Sequence, residues 1–154
     1  MRPVLVEIQA LVAKSSFGMV RRKTSGFEFN RFSLLIGSQD VFVNVTGGIK
    51  IDDPSADLAL VVAIASSFQD FVVSPEFIFI GEVGLSGELR MSYNISQRLM
   101  EAKRLGFSSA FIPETNFKKL DLKSFFGLQI HGCNNVKEVM HKVRGQGSSV
   151  TSRD

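Results

Sequence analysis

With 154 residues, 44% of them hydrophobic and 14 of them phenylalanine, the chain has enough apolar material for one domain with its own core. Its single cysteine, Cys133, excludes a disulfide framework and a cysteine-rich zinc site and fits a reducing compartment, with the thiol read as a small packed side chain. A net charge of +3 is too small to name a partner, and no apolar run is long enough to span a membrane.

The first residues, "MRPVLVEIQ", lack the apolar centre and cleavage site of a secretory signal, so the cytoplasm is the expected location. In "PVLVEIQALVA", Val4, Val6, Ile8, Ala10 and Val12 alternate with Leu5, Glu7, Gln9 and Leu11, which predicts a strand with Pro3 at its tolerated first position. "GMVRRKTSGFEF" reads as a returning strand that carries Arg21, Arg22 and Lys23 into solvent, and "FNRFSLLIG" as a short helix closed by Gly37. Residues 1–50 hold seven basic and three acidic side chains, so the basic bias sits in the first third.

"DVFVNVTGG" is a strand ending in a glycine pair. "FIFIGEVG", apolar on both faces, is expected inside a sheet covered by helices, and "GEVGLSGELR" as two strands joined through Gly84 and Gly87. "NISQRLMEAKRLG" places Ile95, Leu99 and Ala102 on one helical stripe that stops at Gly106, and "SSAFIP" follows as a short strand. "NNVKEVMHKVRG" repeats the helical pattern with Val136, Met140 and Val143. Residues 1–145 are expected to form the domain, with 146–154 a disordered tail. Alternating strands and helices make this an α/β or α+β sandwich.

The richest chemistry lies in "DDPSADLALVVAIASS". Asp53 can cap a helix that has Pro54 at its first position, which puts Ser55 in the first turn, beside backbone N–H groups and the positive end of the helix dipole. That place suits a nucleophile with an oxyanion site and equally suits a plain helix-start residue; a nucleophilic serine also needs a base within hydrogen-bond reach. Neither His131 nor His141 lies in a motif pairing with Ser55. There is no phosphate-binding loop, and the carboxylates of "GGIKIDD" and "GEVGLSGE" match no metal loop, so neither cofactor nor metal is expected. Arg21, Arg22, Lys23, Arg31 and Arg90 can contact phosphates or simply line a solvated face. Aromatic side chains interleaved with charge are not evident, because the phenylalanines fall mostly at core-like positions.

Three stretches, "RPVLVEIQALV", "DVFVNVTGGIKIDDPSADLALVVAIASS" and "IGEVGLSGELR…RLMEAKRLGFSSAFIP", together resemble the C-terminal Lon-protease-like domain of the bacterial RadA (Sms) recombination proteins. The resemblance implies the fold of the Lon peptidase domain, a mixed sheet packed with helices. "DDPSAD" is similar to the peptidase segment D-G-P-S-A-G, so Ser55 stands at the nucleophile position and Asp57 replaces a glycine. Counting from Gly81 without a gap puts Ser96 where the peptidase has its catalytic lysine, which breaks the dyad. Lys103 lies about 10 Å further along that helix at ~1.5 Å per residue, beyond reach, and Arg98 keeps its proton near neutral pH.

The domain is therefore expected to be non-proteolytic, with Ser55 an inherited helix-start residue. By likeness to the family it implies DNA binding and ring assembly beside a RecA-like ATPase. That module and a four-cysteine zinc finger are missing from this chain, and the intact family is a DNA-dependent ATPase. The implied partners are single-stranded or branched DNA, further copies of the chain in a hexameric ring, and a RecA-type recombinase. Matching motifs carry DNA contact to Arg22 in "RRK", Arg31 in "FNRF" and Arg90 in "GELR"; Arg21 and Lys23 join them for their charge alone. The alternatives are a Lon-type serine peptidase using Ser55 with a displaced base, and a purely structural oligomerisation domain. The relatives carry a longer first helix and connector where only "LIGSQ" stands here, so ring assembly is expected to be weaker than in them.

Overall fold

The computed structural model describes residues 3–14, 22–25 and 39–147. In chain order the elements are β1 (Ile8–Lys14), β2 (Arg22–Ser25), β3 (Gln39–Val45), a 3₁₀ turn (Pro54–Ala56), α1 (Asp57–Gln69), β4 (Phe77–Phe79), β5 (Glu82–Val83) and β6 (Leu89–Arg90). They continue with α2 (Ile95–Arg104), β7 (Ser109–Pro113), α3 (Glu114–Phe117), a second 3₁₀ turn (Leu122–Phe125), β8 (Gln129–Cys133) and α4 (Val136–Gly147). The fold is mixed α/β, with parallel and antiparallel pairings, as the alternation of patterns implies.

The first sheet has the order β1-β3-β2. β3 runs antiparallel to β1 and parallel to β2, so the chain does not return beside β1 as a hairpin. The second sheet, β4-β7-β8, is wholly parallel, and β5 and β6 form a separate antiparallel hairpin. The alternation in the first segment holds from Ile8 onward, where Ile8, Ala10 and Val12 turn inward while Gln9 and Leu11 are exposed. The helix expected over "FNRFSLLIG" and the shortened connector "LIGSQ" lie, up to Ser38, outside the described residues.

α1 is apolar around most of its circumference because it is wrapped on both sides. Val41 and Val43 of the first sheet, Leu58, Leu60, Val62 and Ile64 of α1, Phe111 of β7, and Val139 and Val143 of α4 form one core between the sheets. A second core lies on the far face of β7, where Ala110 and Ile112 meet Ile95, Leu99 and Ala102 of α2 along with Phe125 and Leu128. The period-2 alternation of β7 thus feeds both cores, and all five of its residues are buried. "SSAFIP", rather than "FIFIGEVG", is the inner strand: β4 forms one edge of its sheet and is only partly buried. The β8 strand, "QIHGC", has no clean apolar signature and is absent from the sequence-based assignment.

Helix α4 runs through Gly147, two residues past the expected boundary, and Gln146 on it bonds the His131 ring at 3.0 Å. His131 stacks on Phe111 at 4.7 Å between ring centres, so it is a packed edge-strand residue, while His141 is exposed. Cys133 is fully buried, and that burial pushes its thiol up to about 11. Its reaction with a thiol reagent at pH 8 is accordingly expected to be slow in the native chain and to become rapid in denaturant; fast native labelling would contradict this packing.

Candidate functional site

The Ser55 turn begins with Asp53 in an extended conformation (φ −86°, ψ 114°), where its side chain can fold back over the following residues. Its Oδ1 accepts the Ser55 N–H at 2.9 Å, and Pro54 occupies the first helical position. The turn is a 3₁₀ turn, and the α-helix proper starts two residues after Ser55, at Asp57.

Every backbone donor at this tip has an acceptor. The Ala56 N–H donates to the Asp53 carbonyl at 3.1 Å, the Asp57 N–H to the Pro54 carbonyl, and the Leu58 N–H to the Gly81 carbonyl at 3.0 Å. The Ser55 carbonyl in turn accepts the Gly81 N–H at 2.8 Å, which locks the turn against the strand-like "IGEV" segment. Asp57 is buried and its carboxylate accepts the Val83 N–H at 3.4 Å, bracing the same pair of segments. The free N–H groups that the sequence suggests at this helix tip are therefore spent on the fold, and an oxyanion would find no donor among them.

Ser55 itself is buried, and it lines a groove of about 170 Å³ with Asp53, Arg98, Glu101 and an apolar wall that includes Val4, Val6, Ile78 and Ile80. No lysine lines this groove among the described residues. Ser96, at the counted lysine position, is exposed and stands outside it. Lys103 directs its ammonium to the Ser124 carbonyl at 3.3 Å, away from Ser55.

The cation that does reach the turn is Arg98. Its guanidinium donates to Asp53 Oδ2 at 2.6 Å and its Nε to the Tyr93 carbonyl at 3.0 Å. Burial works to raise the Asp53 pKa, but the Ser55 N–H, the Arg98 guanidinium and the Ser55 hydroxyl outweigh it and hold the carboxyl below its ordinary value. A carboxylate so stabilised stays ionised and is a poor proton acceptor. Sequence reasoning names Arg98 only as a side chain unable to act as a base and misses its pairing with Asp53, since the two are 45 residues apart.

Asp53→Ala is expected to cost about 1 kcal/mol at neutral pH, mostly through the lost cap, because the half-exposed ion pair adds little. The folded carboxyl is held below its ordinary value, so the charge-linked part of its stabilisation is present above the unfolded pKa and is lost as pH falls through the folded one. The gap between thermal melts of parent and variant should therefore narrow as the carboxyl is protonated on acidification; a gap that widened would contradict the assignment.

The basic residues fall on separate elements. Arg90, on β6, stands opposite Glu82 in the hairpin register and pairs with Glu88 at 3.0 Å and Glu82 at 3.4 Å, so its charge is largely answered within the hairpin. Arg22 and Lys23 lie on β2, an edge strand of the first sheet. Arg21 and Arg31 lie outside the described residues. Among the described residues no group of three metal-ligating side chains occurs, and no helix is long and apolar enough to cross a membrane.

Residues 4–144 match the family described as the Lon protease (S16) C-terminal proteolytic domain. The chain is 40% identical over 153 residues to the DNA repair protein RadA of Streptococcus pneumoniae, covering 92% of this chain and 36% of the relative. It is 43% identical over 155 residues to the DNA repair protein RadA of Bacillus subtilis, covering 94% and 33% respectively. The RadA of Halalkalibacterium halodurans is 39% identical over 156 residues, covering 94% and 34%. The chain thus spans about a third of the length of these relatives.

Proposed function

Because the chain belongs to the Lon protease C-terminal domain family and is similar to RadA DNA repair proteins along nearly all its length, we propose that it is a non-proteolytic Lon-like domain of RadA type that binds DNA and assembles into a ring. The observation that carries the non-proteolytic half is the closed tip of the Ser55 turn. Its first-turn donors are consumed by the fold, and Arg98, a permanent cation, occupies the approach to Asp53. An acyl-transfer site needs a base beside the hydroxyl and open donors for the oxyanion, and the turn offers neither.

The DNA-binding half rests on the basic first third of the chain and on the motif matches at Arg22, Arg31 and Arg90. Ring assembly, the RecA-like ATPase as neighbour and a RecA-type recombinase as partner come from the family likeness. In this reading no cofactor acts within the chain, and the cytoplasm is its compartment.

A gel shift of the chain with single-stranded and branched DNA across a salt series tests the reading. Binding should weaken steeply with salt, since each phosphate contact releases counterions, and Arg22→Ala, Arg31→Ala and Arg90→Ala together should abolish most of it. In parallel, wild type and Ser55→Ala should be equally inert towards an unfolded protein substrate and a serine-reactive probe. Hydrolysis lost in Ser55→Ala would make the chain a Lon-type peptidase. Clear self-association in light scattering without any DNA binding would make it a structural oligomerisation domain.

A further inference from the structure

Among the described phenylalanines only Phe68 and Phe126 are exposed, and Phe126 is the more exposed of the two. Its neighbours are anchors: Phe125 and Leu128 are both embedded in the second core. The Leu128 N–H donates to the Phe125 carbonyl at 2.9 Å, closing a four-residue turn. Phe126 has φ −50° and ψ 131°, and Gly127 has φ 90°, the combination of a type II turn, which requires a residue tolerant of positive φ at its third position. The turn is fixed at both ends, so the Phe126 ring is held out at 88% exposure on a preformed support.

Two lysines are tied to this support, one by sequence and one by a hydrogen bond. Lys123 is exposed three residues before Phe126, and Lys103 reaches over from α2 to the Ser124 carbonyl at 3.3 Å, leaving two of its three ammonium donors open. Neither lysine forms an ion pair among the described residues. The nearby Asp121 caps the 3₁₀ turn, its carboxylate accepting the Lys123 N–H and the Ser124 hydroxyl, each at 3.3 Å, and it forms no ion pair with either lysine among the described residues.

An exposed ring on a turn that carries Lys123 and receives the Lys103 ammonium at Ser124 has a specific chemical complement. The ring offers a face on which a base can stack, and the ammonium groups answer the phosphates on either side of that base. A duplex hides its base faces, so the complement is single-stranded. We propose that the Phe126 turn, with Lys103 and Lys123, is a stacking site for single-stranded DNA. The assignment rests on the DNA-binding reading above and adds the strand type and the residues, none of which belong to the basic first third.

The chain contains no tryptophan, so Phe126→Trp installs a single reporter at the turn. On titration with oligo(dT) its emission should be quenched at saturation. Phe126→Ala should weaken oligo(dT) binding about tenfold, since stacking is worth ~1–3 kcal/mol per base, while leaving duplex binding and the salt slope unchanged. Lys103→Gln with Lys123→Gln should instead lower the salt slope by about 1.4, at ~0.7 per phosphate contact.

Phe126 is almost wholly exposed, so these variants should melt with the parent. Parent-like oligo(dT) affinity in Phe126→Ala, or an unquenched Phe126→Trp at saturation, overturns the stacking site while leaving the broader DNA reading intact. The same result accompanied by loss of self-association would make the turn a contact between copies of the chain. A parent chain that binds no DNA at all overturns both.

Discussion

Phe111→Ala is expected to remove about 3–5 kcal/mol of stability, a large part of the ~5–15 kcal/mol available to a domain of this size. Among the described residues Phe111 is the largest fully buried side chain, and it sits on the central strand of the parallel sheet. The register sets Phe79 directly on one side of it and His131 on the other. The three rings stack as a ladder, with centres 5.1 Å apart for Phe79 and 4.7 Å for His131, and Phe77 adds a tilted contact at 5.4 Å. Alanine would leave a cavity bounded by rigid strands, where collapse is limited, so the upper part of the range is expected. The midpoint of thermal unfolding should fall by on the order of 10 °C, whereas Phe111→Leu, which keeps most of the volume, should lose much less. A loss below about 1 kcal/mol in urea titration, with the slope unchanged, would show that the ladder is not tightly packed.

What the sequence made legible follows from how local each signal is. The α2 stripe Ile95, Leu99, Ala102 and the β1 alternation from Ile8 onward were readable because periodicity alone records which face is buried. The Asp53 cap and Pro54 start were readable because helix starts have short-range chemistry. β4 and β7 could not be ranked from composition, since an edge and a central strand can both be apolar runs; only the pairing order distinguishes them. β8 was missed because His131 and Gly132 interrupt its apolar pattern, yet the ring of His131 packs as an aromatic against Phe111. At the site, the position of Ser55 was legible and its surroundings were not. The ion pair with Arg98 and the two backbone bonds that join the turn to Gly81, from the Leu58 N–H and to the Ser55 carbonyl, are long-range contacts with no local signature. The exposure of Phe126 was hidden for a similar reason, because "SFFGL" does not say which phenylalanine the turn will face outward.

A second large loss is expected from Asn116→Ala, roughly 2–4 kcal/mol, although the residue touches neither Ser55 nor any proposed DNA contact. Asn116 is buried at the foot of α3, and its side chain grips the backbone of Ser92. Oδ1 accepts the Ser92 N–H at 2.8 Å and Nδ2 donates to the Ser92 carbonyl at 3.0 Å. Truncation leaves two buried main-chain groups without partners, and Ser92 already carries a buried hydroxyl with no hydrogen bond among the described residues. The grip matters for the site because Ser92 leads into Tyr93, whose carbonyl holds Arg98, and into Asn94, which starts α2 in a left-handed conformation (φ 55°) without a side-chain cap. With the clamp removed, Arg98 should hold Asp53 less firmly, and the Ser55 amide should exchange its hydrogen faster than in the parent. Asn116→Asp separates the two bonds. It keeps the acceptor for the Ser92 N–H but turns a carboxylate oxygen toward the Ser92 carbonyl, which favours the protonated acid and raises the folded pKa of the new group. Because the native state then binds more protons than the unfolded chain, that variant should gain stability relative to the parent as pH falls from 7 towards 4. Melts that coincide with the parent for Asn116→Ala, with unchanged exchange at Ser55, would detach this clamp from the architecture of the site.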